Sequence, residues 1–197
     1  MVVCRYAVHV FLRHIYTLCL LALPLASVAV SQEPTVAVGD VAPRVVMRIA
    51  DATVLDSDDL IGKVYVVDFW SPHCGPCRGL APSLNAVHRR LASSGGGPVL
   101  GLMVGESTGA ATANVVREWG IEFPVGTRFL PGQVDMSLAY GVRRLPATFV
   151  VGADGRIATT FHRMPSDVQL MEAVVAALDA APDAAPDAAP DAAPDAE

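Results

Sequence analysis

The hydrophobic pattern changes period abruptly near the middle of the chain. From Val64 to Trp70 the residues are continuously β-branched or aromatic, interrupted only by Asp68, as expected for a strand buried on both faces. Ser71, Pro72 and His73 break the run. Beyond Cys74-Gly75-Pro76-Cys77, apolar residues recur at helical spacing as Leu80, Leu84, Val87 and Leu91. Pro82 falls inside this helix, where it removes one backbone hydrogen bond and is expected to kink it. The pattern thus places two cysteines where a buried strand turns into a helix.

The flanking segments alternate between strand and helix periods, which predicts an α/β domain. Arg44 to Ala50 reads as an outer strand and Asp56 to Leu60 as a short helical turn. Ser93 to Gly97 is a flexible loop, and Pro98 to Val104 is the next buried strand. Ala110 to Trp119 is a helix with Ala113, Val116 and Trp119 on one face, and Asp135 to Tyr140 is a short one. Thr148 to Val151 and Arg156 to Phe161 form a hairpin around Ala153-Asp154-Gly155, where glycine supplies the positive φ. Ser166 is positioned to N-cap a last helix running through Leu178.

Both ends differ from this domain. Residues 1–29 carry Arg5 and Arg13, an uncharged apolar stretch from Ile15 to Val30, and the small-x-small sequence Ser27-Val28-Ala29. They read as a signal peptide cleaved after Ala29, or otherwise as an N-terminal membrane anchor. Residues 30–42 are a linker and 43–178 the folded domain. Residues 179–197 repeat DAAP four times from Asp179 to Pro194. A proline at every fourth position forbids a sustained helix, so a disordered acidic spacer is expected.

The formal net charge of the 197-residue chain is −6, and the six acids of the tail, with no base among them, account for all of it. Such a balance gives no basis for nucleic-acid binding. Of four cysteines, Cys4 and Cys19 lie in the targeting segment, leaving Cys74 and Cys77 to the exported domain. A structural bridge across two residues closes too small a loop to remove much entropy from the unfolded chain. A reactive pair is the better reading. A helix's first turn has unpaired N–H groups and the positive end of its dipole, which together stabilise a thiolate. Pro76 fits that first turn, and Cys77, one turn on, faces inward and is able to close a disulfide with Cys74.

FW-x3-CGPC followed by AP resembles thioredoxin. The resemblance continues through Val104-Gly105-Glu106-Ser107, Trp119 to Val125, Ala139-Tyr140-Gly141-Val142, Leu145 to Val151 and Asp154 to Ile157. Together these stretches are similar to the extracytoplasmic TlpA and ResA branch of that superfamily, over roughly Val36 to Leu178. The resemblance implies a thioredoxin-like fold, a central mixed sheet flanked by helices, with an N-terminal strand extension. It implies a thiol-disulfide oxidoreductase in which Cys74 is the nucleophile, Cys77 the resolving cysteine and Asp68 the proton acceptor. Pro146 would be the cis-proline facing the pair, with Trp70, Gly75, Pro76 and Leu145 contacting substrate. A carboxyl buried at Asp68 should titrate high.

Gly75-Pro76 matches thioredoxin, whose potential is about −270 mV against about −120 mV for a strong oxidant such as DsbA. The direction implied is therefore reduction of protein disulfides outside the cytoplasm, with electrons from a membrane thiol donor, and the chain itself secreted or tethered. Apocytochrome c thiols and copper-site cysteines are the substrate types of similar proteins. Those acting on cytochromes most often carry an acid three residues past the second cysteine, where this chain has Leu80; Asp68 would replace it. His73, beside Cys74, reads mainly as a surface residue. Arg78 follows the motif where haem attachment needs histidine, which excludes that reading; no cofactor and no resident metal are expected. Two alternatives use the same fold: a copper metallochaperone drawing on both thiolates and His162, or a thiol peroxidase.

Overall fold

The computed structural model describes residues 36–49, 53–105, 109–126 and 135–181. The targeting segment 1–29, linker residues 30–35 and tail residues 182–197 lie outside them. Seven strands and four α-helices are found in this part. They are β1 (Val46–Arg48), β2 (Val54–Asp56), β3 (Tyr65–Trp70), α1 (Gly75–Ser93), β4 (Val99–Met103), α2 (Gly109–Glu118), β5 (Val125–Gly126), α3 (Met136–Ala139), β6 (Ala147–Val151), β7 (Ile157–Phe161) and α4 (Asp167–Ala180).

Five strands form one sheet in the order β5-β4-β3-β6-β7. β3 is parallel to β4 and antiparallel to β6, so the sheet is mixed and β3 is central. Every residue of β3 is buried, in keeping with its unbroken apolar run. Because side chains alternate along a strand, β3 serves two cores. Val66 and Trp70 join Cys77, Leu80, Leu84, Val87 and Leu91 of α1 and Leu170, Val174 and Ala177 of α4. Tyr65, Val67 and Phe69 face the other way, toward Met136, Tyr140, Phe149, Val45 and Met47. Asp68 shares the parity of Val66 and Trp70. It therefore lies on the face covered by α1.

The segments that differ from expectation are short or weakly patterned. The N-terminal extension is a separate two-stranded antiparallel sheet, β1 paired with β2. Three residues with a half-exposed Val54 give β2 too little alternation to read. On α2 the stripe turned inward is Thr112, Val115, Val116 and Trp119, not Ala113, Val116 and Trp119. Spacing of three and four residues keeps the former set on one face, and it admits a buried threonine that a purely apolar criterion passes over. α3 matches the expected short helix, with Asp135 as N-cap accepting from the Ser137 amide at 2.8 Å. Ser166 and Gln169 close α4 with a reciprocal capping box.

Candidate active site

The turn between β3 and α1 is built by local hydrogen bonds. The Cys74 amide donates to the Ser71 carbonyl at 3.0 Å, and the His73 amide to Ser71 Oγ at 3.3 Å. These bonds make Cys74 the N-cap of α1, in an extended conformation (φ −92°, ψ 98°). The Cys77 amide donates to the Cys74 carbonyl at 3.1 Å and to Cys74 Sγ at 3.2 Å. Pro76, in the first turn, has no N–H to leave unpaired. One sulfur thus sits at the positive end of a 19-residue helix and already accepts an amide hydrogen bond.

The two sulfurs are joined at 2.01 Å, with Cα atoms 5.3 Å apart. Their surroundings are unequal. Cys74 is half-buried, flanked by the exposed His73, Gly75 and Pro76, whereas Cys77 is 4% exposed and packed in the α1 core. Arg78 points away to an ion pair with Glu118 at 3.2 Å. Leu80 is wholly buried.

Asp68 is 2% exposed. Its carboxylate accepts from Thr148 Oγ1 at 2.7 Å, across the β3–β6 pairing that sets the two residues opposite each other. Burial pushes the Asp68 carboxyl up to about 7, against the smaller opposing effect of the Thr148 bond. The carboxyl is thereby poised to hold or release a proton near neutral pH, on the sheet face shared with Cys77. Thr148 was legible in the sequence only as the start of a strand. Its signal was a polar residue within the apolar run Ala147 to Val151, matching the interruption at Asp68.

The remaining residues fall into two groups. The Leu145–Pro146 peptide is cis and leads directly into β6; Pro146 is buried and Leu145 half-buried. Trp70 is 2% exposed, its ring 5.5 Å from that of Trp119. Its Nε1 lies over Gly101 and has no hydrogen-bond partner among the described residues. Trp70 is therefore a wall behind the site and not part of its surface. His162 follows β7 with its ring edge-on to Phe149, 5.9 Å away. Among the described residues no three His, Cys, Asp or Glu side chains come together as a metal-ligand group.

A paired CxxC at a strand-to-helix turn, on a five-stranded mixed sheet with a cis-proline entering the neighbouring strand, defines the class: a thioredoxin-fold thiol-disulfide oxidoreductase. Comparison with known proteins agrees. The chain is 26% identical over 140 residues to the thiol-disulfide oxidoreductase ResA of Bacillus subtilis, covering 71% of this chain and 75% of that one. It is 30% identical over 120 residues to ResA of Bacillus thuringiensis, covering 61% and 66%. A Chlorobium tepidum crystal structure assigned to thiol:disulfide interchange protein DsbE superposes with a TM-score of 0.64 at 26% identity, covering 73% of this chain and 99% of that one. A secreted thiol-disulfide isomerase of Corynebacterium glutamicum shares the fold, with a TM-score of 0.61 at 22% identity and coverages of 70% and 85%. Redoxin is the family matched, over residues 37–175, and the chain belongs to it.

Proposed function

We propose that this oxidoreductase works as a reductase of protein disulfides outside the cytoplasm, with Cys74 attacking and Cys77 resolving. The carrying observation is the inequality of the two sulfurs: Cys74 is half-buried at the helix N-terminus and Cys77 is enclosed. In the reduced protein, the Cys74 thiolate attacks one sulfur of a substrate cystine and expels the other as thiolate. The Cys77 thiol then gives its proton toward Asp68 and attacks Cys74 Sγ, releasing the second substrate thiolate. Two electrons pass to the substrate, and the Cys74–Cys77 disulfide seen here is the oxidised product. A thiol donor must restore it, and a membrane carrier fits an exported enzyme.

Gly75, Pro76 and Leu145 would contact the substrate, with Trp70 backing them and the backbone beside Pro146 aligning it. Support for the reducing direction is the Gly75-Pro76 dipeptide. Support for an exported location is the composition of residues 1–29, the names of the relatives, and CxxC chemistry that suits an oxidising compartment. Among the described residues no helix is long and apolar enough to cross a membrane. A cytochrome c or copper-site substrate is the finer assignment, with Asp68 in place of the acid that Leu80 lacks. Cys77→Ser in the full chain should accumulate mixed disulfides through Cys74, and Cys74→Ser should not. Equal trapping by both variants, or by neither, would refute the assignment of roles.

A further inference from the structure

Three exposed arginines lie on the chain segments that lead to this site, and the mechanism uses none of them. Arg143 and Arg144 immediately precede Leu145 and the cis-proline, and both are exposed. Arg163 reaches the same end of the sheet by a different route. β7 runs antiparallel to β6 with Phe161 opposite Thr148, so the residues after Phe161 continue beside those before Ala147. The segment then meets the active-site helix: a Cβ added at Gly79, two residues past Cys77, would come 3.3 Å from Met164 Cε. At its end Asp167 accepts from Ser83 of α1. Arg163, also exposed, thus lies on the stretch that bridges the cis-proline loop and α1.

Among the described residues, none of these three guanidinium groups has an ion-pair or hydrogen-bond partner. Of the carboxylates that meet the first turns of α1, Glu118 is ion-paired with Arg78, and Asp167 accepts from Ser83 and keeps its charge. Apolar surface separates the charges, with Leu145 half-buried and Met164 44% exposed. The site mouth therefore presents fixed positive charge around a small hydrophobic step. Guanidinium stays charged at any working pH and matches carboxylate geometry in a bidentate fork. Charges on the rim of a docking surface act chiefly on encounter rate and partner choice, and added salt weakens them.

We infer that Arg143, Arg144 and Arg163 form a cationic rim that selects polypeptides carrying acidic residues beside their cystine, an inference resting on the oxidoreductase reading above. The partner is thus an acidic protein segment docked across the cis-proline loop, with an apolar residue next to its cysteine seated between Leu145 and Met164.

The test is the reduced full-length chain acting on three cystine peptides of equal length, flanked by Asp and Glu, by Ser and Gly, or by Lys and Arg. At low salt, kcat/KM should favour the acidic peptide over the basic one by about tenfold or more, the lower end of electrostatic steering. High salt should close that gap. R143E/R144E/R163E should invert the order, and R143K/R144K/R163K should keep it. The preference is a ratio within each variant, so a variant that folds or turns over poorly cannot imitate an inversion. Equal kcat/KM for the three peptides, or an order indifferent to charge reversal, overturns the rim. Failure of the wild-type chain to reduce any of them overturns instead the oxidoreductase reading beneath it.

Discussion

The two faces of the central sheet are packed from the same strands but to different ends. On one, Phe69, Tyr140 and Phe149 lie with ring centroids 4.9–5.9 Å apart, and Val45 and Met47 of the N-terminal extension close over them. The one polar tip in this trio, Tyr140 Oη, donates to the Pro43 carbonyl at 2.9 Å. On the other, the same strand β3 sets Asp68 under α1, with no ionic partner among the described residues and held by one hydroxyl. One face is organised for stability. The opposite face tolerates a carboxylate whose charge is costly, and the redox pair is mounted there. Strand alternation allows both, since one residue's shift in register would exchange Phe69 and Asp68.

The largest effect should come from the aromatic face. Phe69→Ala removes the ring shared by two of its contacts and should cost about 3–5 kcal/mol in denaturant unfolding. The thiol chemistry of the refolded protein should be little altered, because the lost contacts face away from α1. A loss below about 1 kcal/mol would mean that this face is not the stabilising one.

Asp68→Asn should have the opposite sign. The Asp68 carboxyl sits at about 7 when folded, against an ordinary 3.8. The folded state therefore binds a proton that the unfolded state has released between those values, and stability falls as pH rises through that window. Replacing Asp68 should thus stabilise by up to roughly 4 kcal/mol above pH 7, at 1.36 kcal/mol per pH unit, with the gain vanishing near pH 4. The pH dependence of the resolving step near neutrality should be lost with it. Thr148→Val, which removes the hydrogen bond holding the carboxylate, should move that dependence to higher pH and cost roughly 1–3 kcal/mol in the ionised protein. A stability difference between wild type and Asp68→Asn that does not change with pH would remove the buried carboxylate from the account.

What could be read from the sequence follows the locality of each feature. The strand, the turn and the helix carrying Cys74 and Cys77 were legible because all of their determinants fall within about thirty residues, the scale of one βαβ unit. The hairpin around Gly155 was likewise a local pattern. The pairing of Asp68 with Thr148 was not, since it depends on β3–β6 register across 80 residues. β5, two residues long, has too little length for any periodicity. Nothing local in the sequence links Arg143 and Arg144 to Arg163; only the β6–β7 register does. The fold brought them to one rim.

The most direct test of the central claim is alkylation of each thiol in the reduced protein as a function of pH, read by mass spectrometry. Cys74 should react first, with an apparent pKa well below the ~8.5 of a free cysteine and within the range of about 3.5–7.5 found for thiols at helix N-termini. Cys77 should stay protected over that range. If Cys77 reacts first, or Cys74 titrates like a free thiol, the helix terminus does not activate the sulfur and the proposed order of attack is wrong.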